Sequence, residues 1–193
     1  MIDRATQERW NNRYSDTQGP LPGVRVVTEN LHLLPRNGTA LDLACGLGGN
    51  SVLLAQQGLT TYAWDISTVA VDKLNALAAE HQLSIIAEAR DLIQQPPEPA
   101  RFDVIVCTHF LERRLTQAII AALRPGGLLF YQTFTRLRLR DVGPEKEEWR
   151  LADGELLTMF APLVPVVYRE ERWLGDMDRG LRDEALLIAW KQA

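Results

Sequence analysis

Apolar positions along the chain switch between two periods. Residues 3–14 have helical spacing, with Trp10 and Tyr14 one turn apart. Gly19, Pro20, Pro22 and Gly23 form a loop, and Val24, Val27, Leu31 and Leu34 then return to helical spacing until 35–38 stop it. A short apolar run at 40–44 predicts a buried strand, and 49–57 a helix closed by Gly58. Residues 60–64 predict a strand ending at Asp65. Residues 67–80 predict a helix capped by Ser67, with Val71, Leu74, Leu77 and Ala78 on one face. Strands follow at 84–89 and 102–107; Pro96, Pro97 and Pro99 leave little room for a helix between them. A helix at 115–123, stopped by 124–127, leads into a strand at 128–134. The rest differs: a helix at 154–160, then strands at 166–173 and 185–190 around a turn-rich 175–180.

Strands alternating with helices imply a parallel sheet covered on both faces, and the last two strands imply an antiparallel hairpin at its end. The fold class is α/β. A chain of 193 residues has the size of one domain. Its net charge of −4 disfavours a nucleic-acid partner, since neutralising phosphates needs a clustered basic excess. Two cysteines at non-motif spacing make neither a zinc site nor a disulfide framework, so no metal is expected. Charges within the first ten residues interrupt any signal peptide core. Residues 43–64 are uncharged but too rich in Gly, Asn and Gln for a lipid-facing helix, so no membrane partner and a cytoplasmic location are expected.

The sharpest local signal is Leu41-Asp-Leu-Ala-Cys-Gly-Leu-Gly-Gly-Asn-Ser51, a strand entering a Gly-x-Gly turn that opens a helix. Glycines there let a ligand approach the backbone. Asp65 ends the next strand, where an acid can accept from both ribose hydroxyls of an adenosine ligand. Two features argue against a dinucleotide. Ser51 stands at the third glycine position, and Asp42 would add negative charge near a pyrophosphate. An acid there suits a ligand that carries an ammonium group.

The motifs Asp42-x-Ala-Cys-Gly-x-Gly48, Ala63-Trp-Asp-Ile-Ser67, Arg90-Asp-Leu92, Phe102-Asp-Val-Ile-Val106 and Leu123-Arg-Pro-Gly-Gly-x-Leu129 occur in the order found in class I S-adenosylmethionine-dependent methyltransferases. The chain resembles that family over roughly residues 38–135, and within it the small bacterial tellurite-resistance and thiopurine methyltransferase-like branch. The resemblance implies a Rossmann-like seven-stranded sheet of order 3-2-1-4-5-7-6 with strand 7 antiparallel, and a single domain over 1–193. Residues 1–37 would form a helical cover and 135–152 a substrate-side loop. It also implies S-adenosylmethionine as cofactor, S-adenosylhomocysteine as product and a small-molecule methyl acceptor, anionic or thiol-like, methylated by in-line displacement.

The same resemblance implies residue roles. Gly46 and Gly48, with Ala44 and Asn50 beside them, form the floor of the cofactor site. Asp42 lies near the cofactor ammonium, Asp65 binds the ribose hydroxyls and Ile66 packs on adenine. Asp91 accepts from the adenine amino group, and the Leu92 backbone meets a ring nitrogen. Cys107 and Thr108 contact the methionyl chain. Trp10 and Tyr14 fold over the cofactor, and Arg13 pairs with its carboxylate. Two departures from the family stand out: the helix between strands 3 and 4 is reduced to a proline-rich loop, and the last hairpin, residues 171–180, lacks the His-Arg pair of the tellurite enzymes.

A sulfonium cofactor already carries an activated methyl group, so the protein must mainly place the acceptor. His109 follows the fourth strand and is the candidate base, with a capping histidine as its structural alternative. Arg136, Arg138 and Arg140 alternate as on one face of an extended chain, suited to an anionic acceptor. Trp149, Tyr131 and Phe134 could wall an apolar one. Cys45 and Cys107 end neighbouring strands and are expected close together, as buried small residues or as reactive thiols. The rival reading is a cofactor-binding sensor or partner subunit without catalysis.

Overall fold

The computed structural model describes residues 3–17 and 19–192. Seven strands form one sheet: β1(Thr39–Leu43), β2(Thr60–Asp65), β3(Ile85–Ala89), β4(Phe102–Thr108), β5(Leu123–Phe134), β6(Val164–Arg169) and β7(Glu184–Trp190). Their order is β3-β2-β1-β4-β5-β7-β6. The first five are parallel, and β7 runs antiparallel to both β5 and β6. Among the described residues six α-helices accompany them: α1(Arg4–Ser15), α2(Arg25–Thr28), α3(Gly49–Gln56), α4(Thr68–Glu80), α5(Thr116–Ala122) and α6(Glu155–Met159). This is the topology that the family resemblance implies.

Side-chain alternation along the central strands divides the core between two faces. Val104 and Val106 join Ala40, Leu54, Phe130 and Ile188 on one face. Ile105 and Cys107 join Leu41, Leu43, Trp64, Leu129 and Phe160 on the other. That two-sided burial explains why 102–107 reads as an unbroken apolar run. The helix starts follow local chemistry. Asp3 accepts from the Thr6 N–H at 3.3 Å, and the Ser67 hydroxyl oxygen accepts from the Ala70 N–H at 3.2 Å. No helix among the described residues is long and apolar enough to cross a membrane.

Three elements differ from their sequence expectations. The helix expected over 24–34 breaks into α2 and a 3-10 turn at Leu31–Leu33. Asn30 lies between them and its side chain donates to the Val26 carbonyl, four residues back, at 3.1 Å, a bond that competes with continuation of the helix. β5 begins at Leu123 rather than 128, because Leu123 already pairs with Phe102 and a register shift absorbs the glycines. β6 ends at Arg169, not 173. Beyond it the Arg182 guanidinium gathers the carbonyls of Glu171, Arg172, Leu174 and Asp176, while its Nε donates to that of Arg179, bending the chain off the sheet. The proline-rich stretch holds no helix. Arg90, lying 3.9 Å over the Trp64 ring, ties down the carbonyls of Gln95 and Pro96 there.

Candidate functional site

The C-terminal ends of β1, β2 and β4 meet where the strand order reverses, the place where open α/β sheets bind ligands. β1 leaves the sheet through left-handed residues Ala44, Gly46 and Gly48 before α3 starts. At Gly46 a Cβ would lie 2.8 Å from the Tyr14 hydroxyl oxygen, so the backbone there is open only because the residue is glycine.

Two buried carboxylates flank the turn. Asp65 accepts from the Gly46 N–H at 2.8 Å and the Ser67 N–H at 2.9 Å, stapling the turn to the start of α4. Burial raises its pKa against those bonds. Each oxygen keeps a lone pair beyond its backbone partner. Asp42 accepts from the Ser51 hydroxyl at 2.6 Å through Oδ2, while Oδ1 is buried with no hydrogen-bond partner. Burial, opposed by Ser51, pushes its pKa up to about 6. A buried carboxylate oxygen left unpaired fits a ligand that brings a cation. Asn50, expected to face the cofactor, instead has its amide engaged, accepting from the Val24 N–H and donating to the Thr108 hydroxyl, both at 2.9 Å.

α1 lies over this edge. Gln7 donates to the Ile66 carbonyl at 2.9 Å, and the Ser67 hydroxyl donates to Asn11 at 2.7 Å. The Asp3 N–H reaches the Asp91 carboxylate at 3.2 Å, and that carboxylate also accepts from the N–H groups of Ile93 and Gln94. Trp10 stacks on Tyr14 at 5.7 Å, with the exposed Arg13 guanidinium 5.6 Å over the Trp10 ring. Lys73 donates to the carbonyls of Tyr14, Ser15 and Thr17 at 2.7–2.9 Å, fixing the C-terminus of α1 on α4. Ile66 is half-buried and Leu92 buried, and Asp65 is 5% exposed under this cover. A cavity of about 310 Å³ opens beside it, lined by Thr17, Leu47, Lys73 and Leu77.

On the other side of β1, the β4 end carries His109 with φ +54°. A left-handed non-glycine residue costs on the order of 1–3 kcal/mol and clusters at functional sites. Its N–H donates to the Gln132 carbonyl at 2.8 Å, and its ring stacks on Phe134 at 4.9 Å. Its Nε2 lies 3.2 Å from Glu184 Oε1, and the imidazole remains 41% exposed. Gln132 donates to the other oxygen of Glu184 and accepts from the Val26 N–H at 2.7 Å. Burial acts to raise the Glu184 pKa, but the contacts with His109 and Gln132 outweigh it and hold the carboxyl below its usual range.

Several expected neighbours are elsewhere. Cys45 packs with the Ala63 and Leu74 cluster, whereas Cys107 packs with Leu43 and Trp64, so the two thiols belong to different clusters. The left-handed Ala44 turns Cys45 off the line of β1. Burial raises both thiol pKa values, that of Cys107 to about 12, so neither is poised as a thiolate. Tyr131 is core, with its hydroxyl donating to the Phe110 carbonyl at 2.7 Å. The three arginines do not form a free row. Arg138 pairs with Asp141 and Arg140 with Asp183, and only Arg136 lacks an ion pair among the described residues. Trp149 is exposed, with Lys146 4.9 Å over its ring, and does not wall the site.

The segment carrying these residues closes on itself. Thr135 bridges to Leu151, and the fully buried Arg150 donates to the carbonyls of Thr135, Val142 and Pro144. The sequence reading missed Glu184, Gln132 and Arg150. The sequence signal for the first two is a polar residue within the 128–134 run for Gln132 and just before the 185–190 run for Glu184. No group of His, Cys, Asp and Glu among the described residues could hold a metal ion.

A family model described as a methyltransferase domain matches residues 18–164. The chain is 33% identical over 101 residues to the ubiquinone biosynthesis O-methyltransferase of Coxiella burnetii, covering 50% of this chain and 43% of that protein. It thus spans about half the length of such curated relatives. Among solved structures, TehB from Haemophilus influenzae superposes with a TM-score of 0.71 at 22% identity, covering 96% of this chain and 67% of that one. The geranyl diphosphate C-methyltransferase of Streptomyces coelicolor A3(2) superposes with a TM-score of 0.67 at 15% identity, with 98% of each chain covered. These two likenesses show the fold.

Proposed function

This chain belongs to the methyltransferase domain family, and we propose that it moves a methyl group from S-adenosylmethionine, the cofactor of this class, to a hydroxyl of a small-molecule acceptor. The observation that carries the reading is one sheet edge holding both the Asp42–Asp65 turn and an exposed imidazole. The relatives named O-methyltransferases support an oxygen acceptor.

When bound, S-adenosylmethionine supplies a methyl group on a cationic sulfur, which takes the bonding pair and leaves as a neutral thioether. The chain's residues divide the remaining work. Asp65 takes the ribose hydroxyls on its free lone pairs, and the unpaired oxygen of Asp42 answers the ammonium. Gly46 and Gly48 let the ligand lie on the backbone. Asp91, Ile66 and Leu92 receive the adenine, and Thr108 and Cys107 border the methionyl chain. Trp10, Arg13 and Tyr14 on α1 exclude water. His109 Nδ1 accepts the proton shed by the acceptor hydroxyl as its oxygen gains the methyl group. With Arg138 and Arg140 spent on acids, Arg136 is the cation left for a carboxylate on the acceptor. Residues 135–152 then form the acceptor-side loop of a single domain.

Calorimetric titration with S-adenosylhomocysteine, with NAD as control, tests the cofactor half. Micromolar binding of the former alone is expected; no binding by folded, ligand-free protein overturns it. A screen of small phenols, catechols and thiols, reading S-adenosylhomocysteine formation, tests the rest. Turnover on hydroxyls is expected. Turnover on thiols alone overturns the oxygen assignment. Binding without turnover on any of them supports a cofactor-binding sensor instead.

A further inference from the structure

Resting on the role given to His109 above, we propose that Glu184 is its positioning residue. Its carboxylate holds the imidazole in the tautomer that leaves Nδ1 unprotonated, and Gln132 holds the carboxylate. A carboxylate only accepts hydrogen bonds, so a neutral His109 facing Glu184 Oε1 carries its proton on Nε2. Nδ1 is then the lone pair, and it has no hydrogen-bond partner among the described residues. Three further contacts fix the ring: the stack on Phe134, the left-handed backbone and the N–H bond to Gln132.

The arrangement is built from four elements. His109 follows β4, Gln132 and Phe134 belong to β5, Glu184 opens β7, and Val26 lies in α2. Gln132 is the strut, because its amide nitrogen serves Glu184 and its oxygen serves Val26, leaving the Glu184 carboxylate both oxygens occupied. Arg25 is a further charged side chain that bears on Glu184. Proton transfer to Nδ1 makes an imidazolium, which the adjacent carboxylate stabilises while its own proton count stays unchanged.

Glu184→Gln is the discriminating change. A glutamine has one acceptor oxygen for two donors, so either His109 or Gln132 faces an N–H. The simplest relief is for His109 to accept at Nε2 and carry its proton on Nδ1, which blocks the base. Two-bond proton–nitrogen spectra of nitrogen-15-labelled protein with S-adenosylhomocysteine read this directly, with His109→Asn assigning the signals. The Nε2–H tautomer is expected in the wild type and its loss in Glu184→Gln. A wild-type Nδ1–H tautomer, or an unchanged pattern in the variant, overturns the proposal.

With an acceptor from the screen, kcat should fall about 10- to 100-fold in Glu184→Gln while KM stays within about threefold. A loss confined to KM overturns the positioning role. Glu184→Asp keeps the charge but withdraws it by a methylene, and it should fall between; it also serves as the second variant should Glu184→Gln fail to fold. Failure of the wild type to bind S-adenosylhomocysteine would count against the function, and the ring spectrum would still decide the dyad.

Discussion

The two halves of the site are assembled in opposite ways. In the β1–α3–β2–α4 half the bonds that set the two carboxylates are local: Ser67 to Asp65 spans 2 residues, Ser51 to Asp42 spans 9 and Gly46 to Asp65 spans 19. In the β4–β5–β7 half they are remote: Arg140 to Asp183 spans 43, His109 to Glu184 spans 75 and Val26 to Gln132 spans 106. The first half is a consequence of one strand–turn–helix unit and its neighbour. The second exists only once the antiparallel β7 has docked beside β5. On the proposed function, a binding unit of short contour length is thus paired with a reacting side that depends on the finished fold.

Four substitutions would break or sharpen that contrast. Arg150→Ala should have the largest effect, about 3–4 kcal/mol lost from unfolding stability in urea, since three carbonyls, the buried one of Thr135 among them, lose a fully buried donor. S-adenosylhomocysteine affinity in the folded variant should stay within about threefold, a change below 1 kcal/mol. A large loss of affinity would show that the halves are not separable.

Asp42→Asn tests the local half through pH. The folded pKa of Asp42 is raised to about 6, so the folded state binds more protons than the unfolded one between roughly pH 4 and 6. The stability contributed by its protonation is therefore complete below pH 4 and lost as pH rises through 6. Asp42→Asn should remove that slope and stabilise the protein at pH 7 by about 2–3 kcal/mol, while weakening S-adenosylhomocysteine binding. Equal pH profiles for the two proteins would show that Asp42 has the same pKa in the folded and unfolded chain.

Asp65→Ala should weaken S-adenosylhomocysteine binding by about 1–3 kcal/mol, by loss of a charged acceptor for two hydroxyls. Wild-type affinity in this variant would take Asp65 out of the site. Arg138→Ala should be the smallest change, within about 0.5 kcal/mol in stability, because its partner Asp141 is 94% exposed. A substantial fall in kcat/KM with unchanged stability would instead put Arg138 on the acceptor.

The same contrast explains what the sequence disclosed. The alternation of strands and helices, the glycine turn and Asp65 were legible because each rests on a contiguous stretch whose spacing sets its geometry, whereas the strand order came from the family resemblance those motifs carry. His109 was legible as a polar residue following a buried strand. Its partner Glu184 was not, since a glutamate before 185–190 reads as a strand-end charge until the register sets it opposite Phe134. The Arg136–Arg140 alternation misled for the complementary reason. It describes a row of cations, and Asp183, 43 positions later, converts Arg140 into a brace. Side chains that bond backward, as Asn30 does, likewise broke an element whose apolar periodicity looked continuous.

Arg150 and Arg182 hold their loops by main-chain carbonyls, and that choice of handle has a consequence for how the molecule can change over generations. A segment gripped by its backbone keeps its path whatever side chains it displays. Val142, Glu145, Lys146 and Glu147 can therefore be exchanged one at a time around an unchanged hub, and so can Trp173, Leu174 and Met177 on the hairpin. If residues 135–152 meet the acceptor as proposed, its preference can drift by such steps while the turn that carries Asp42 and the strand end that carries Asp65 stay as they are.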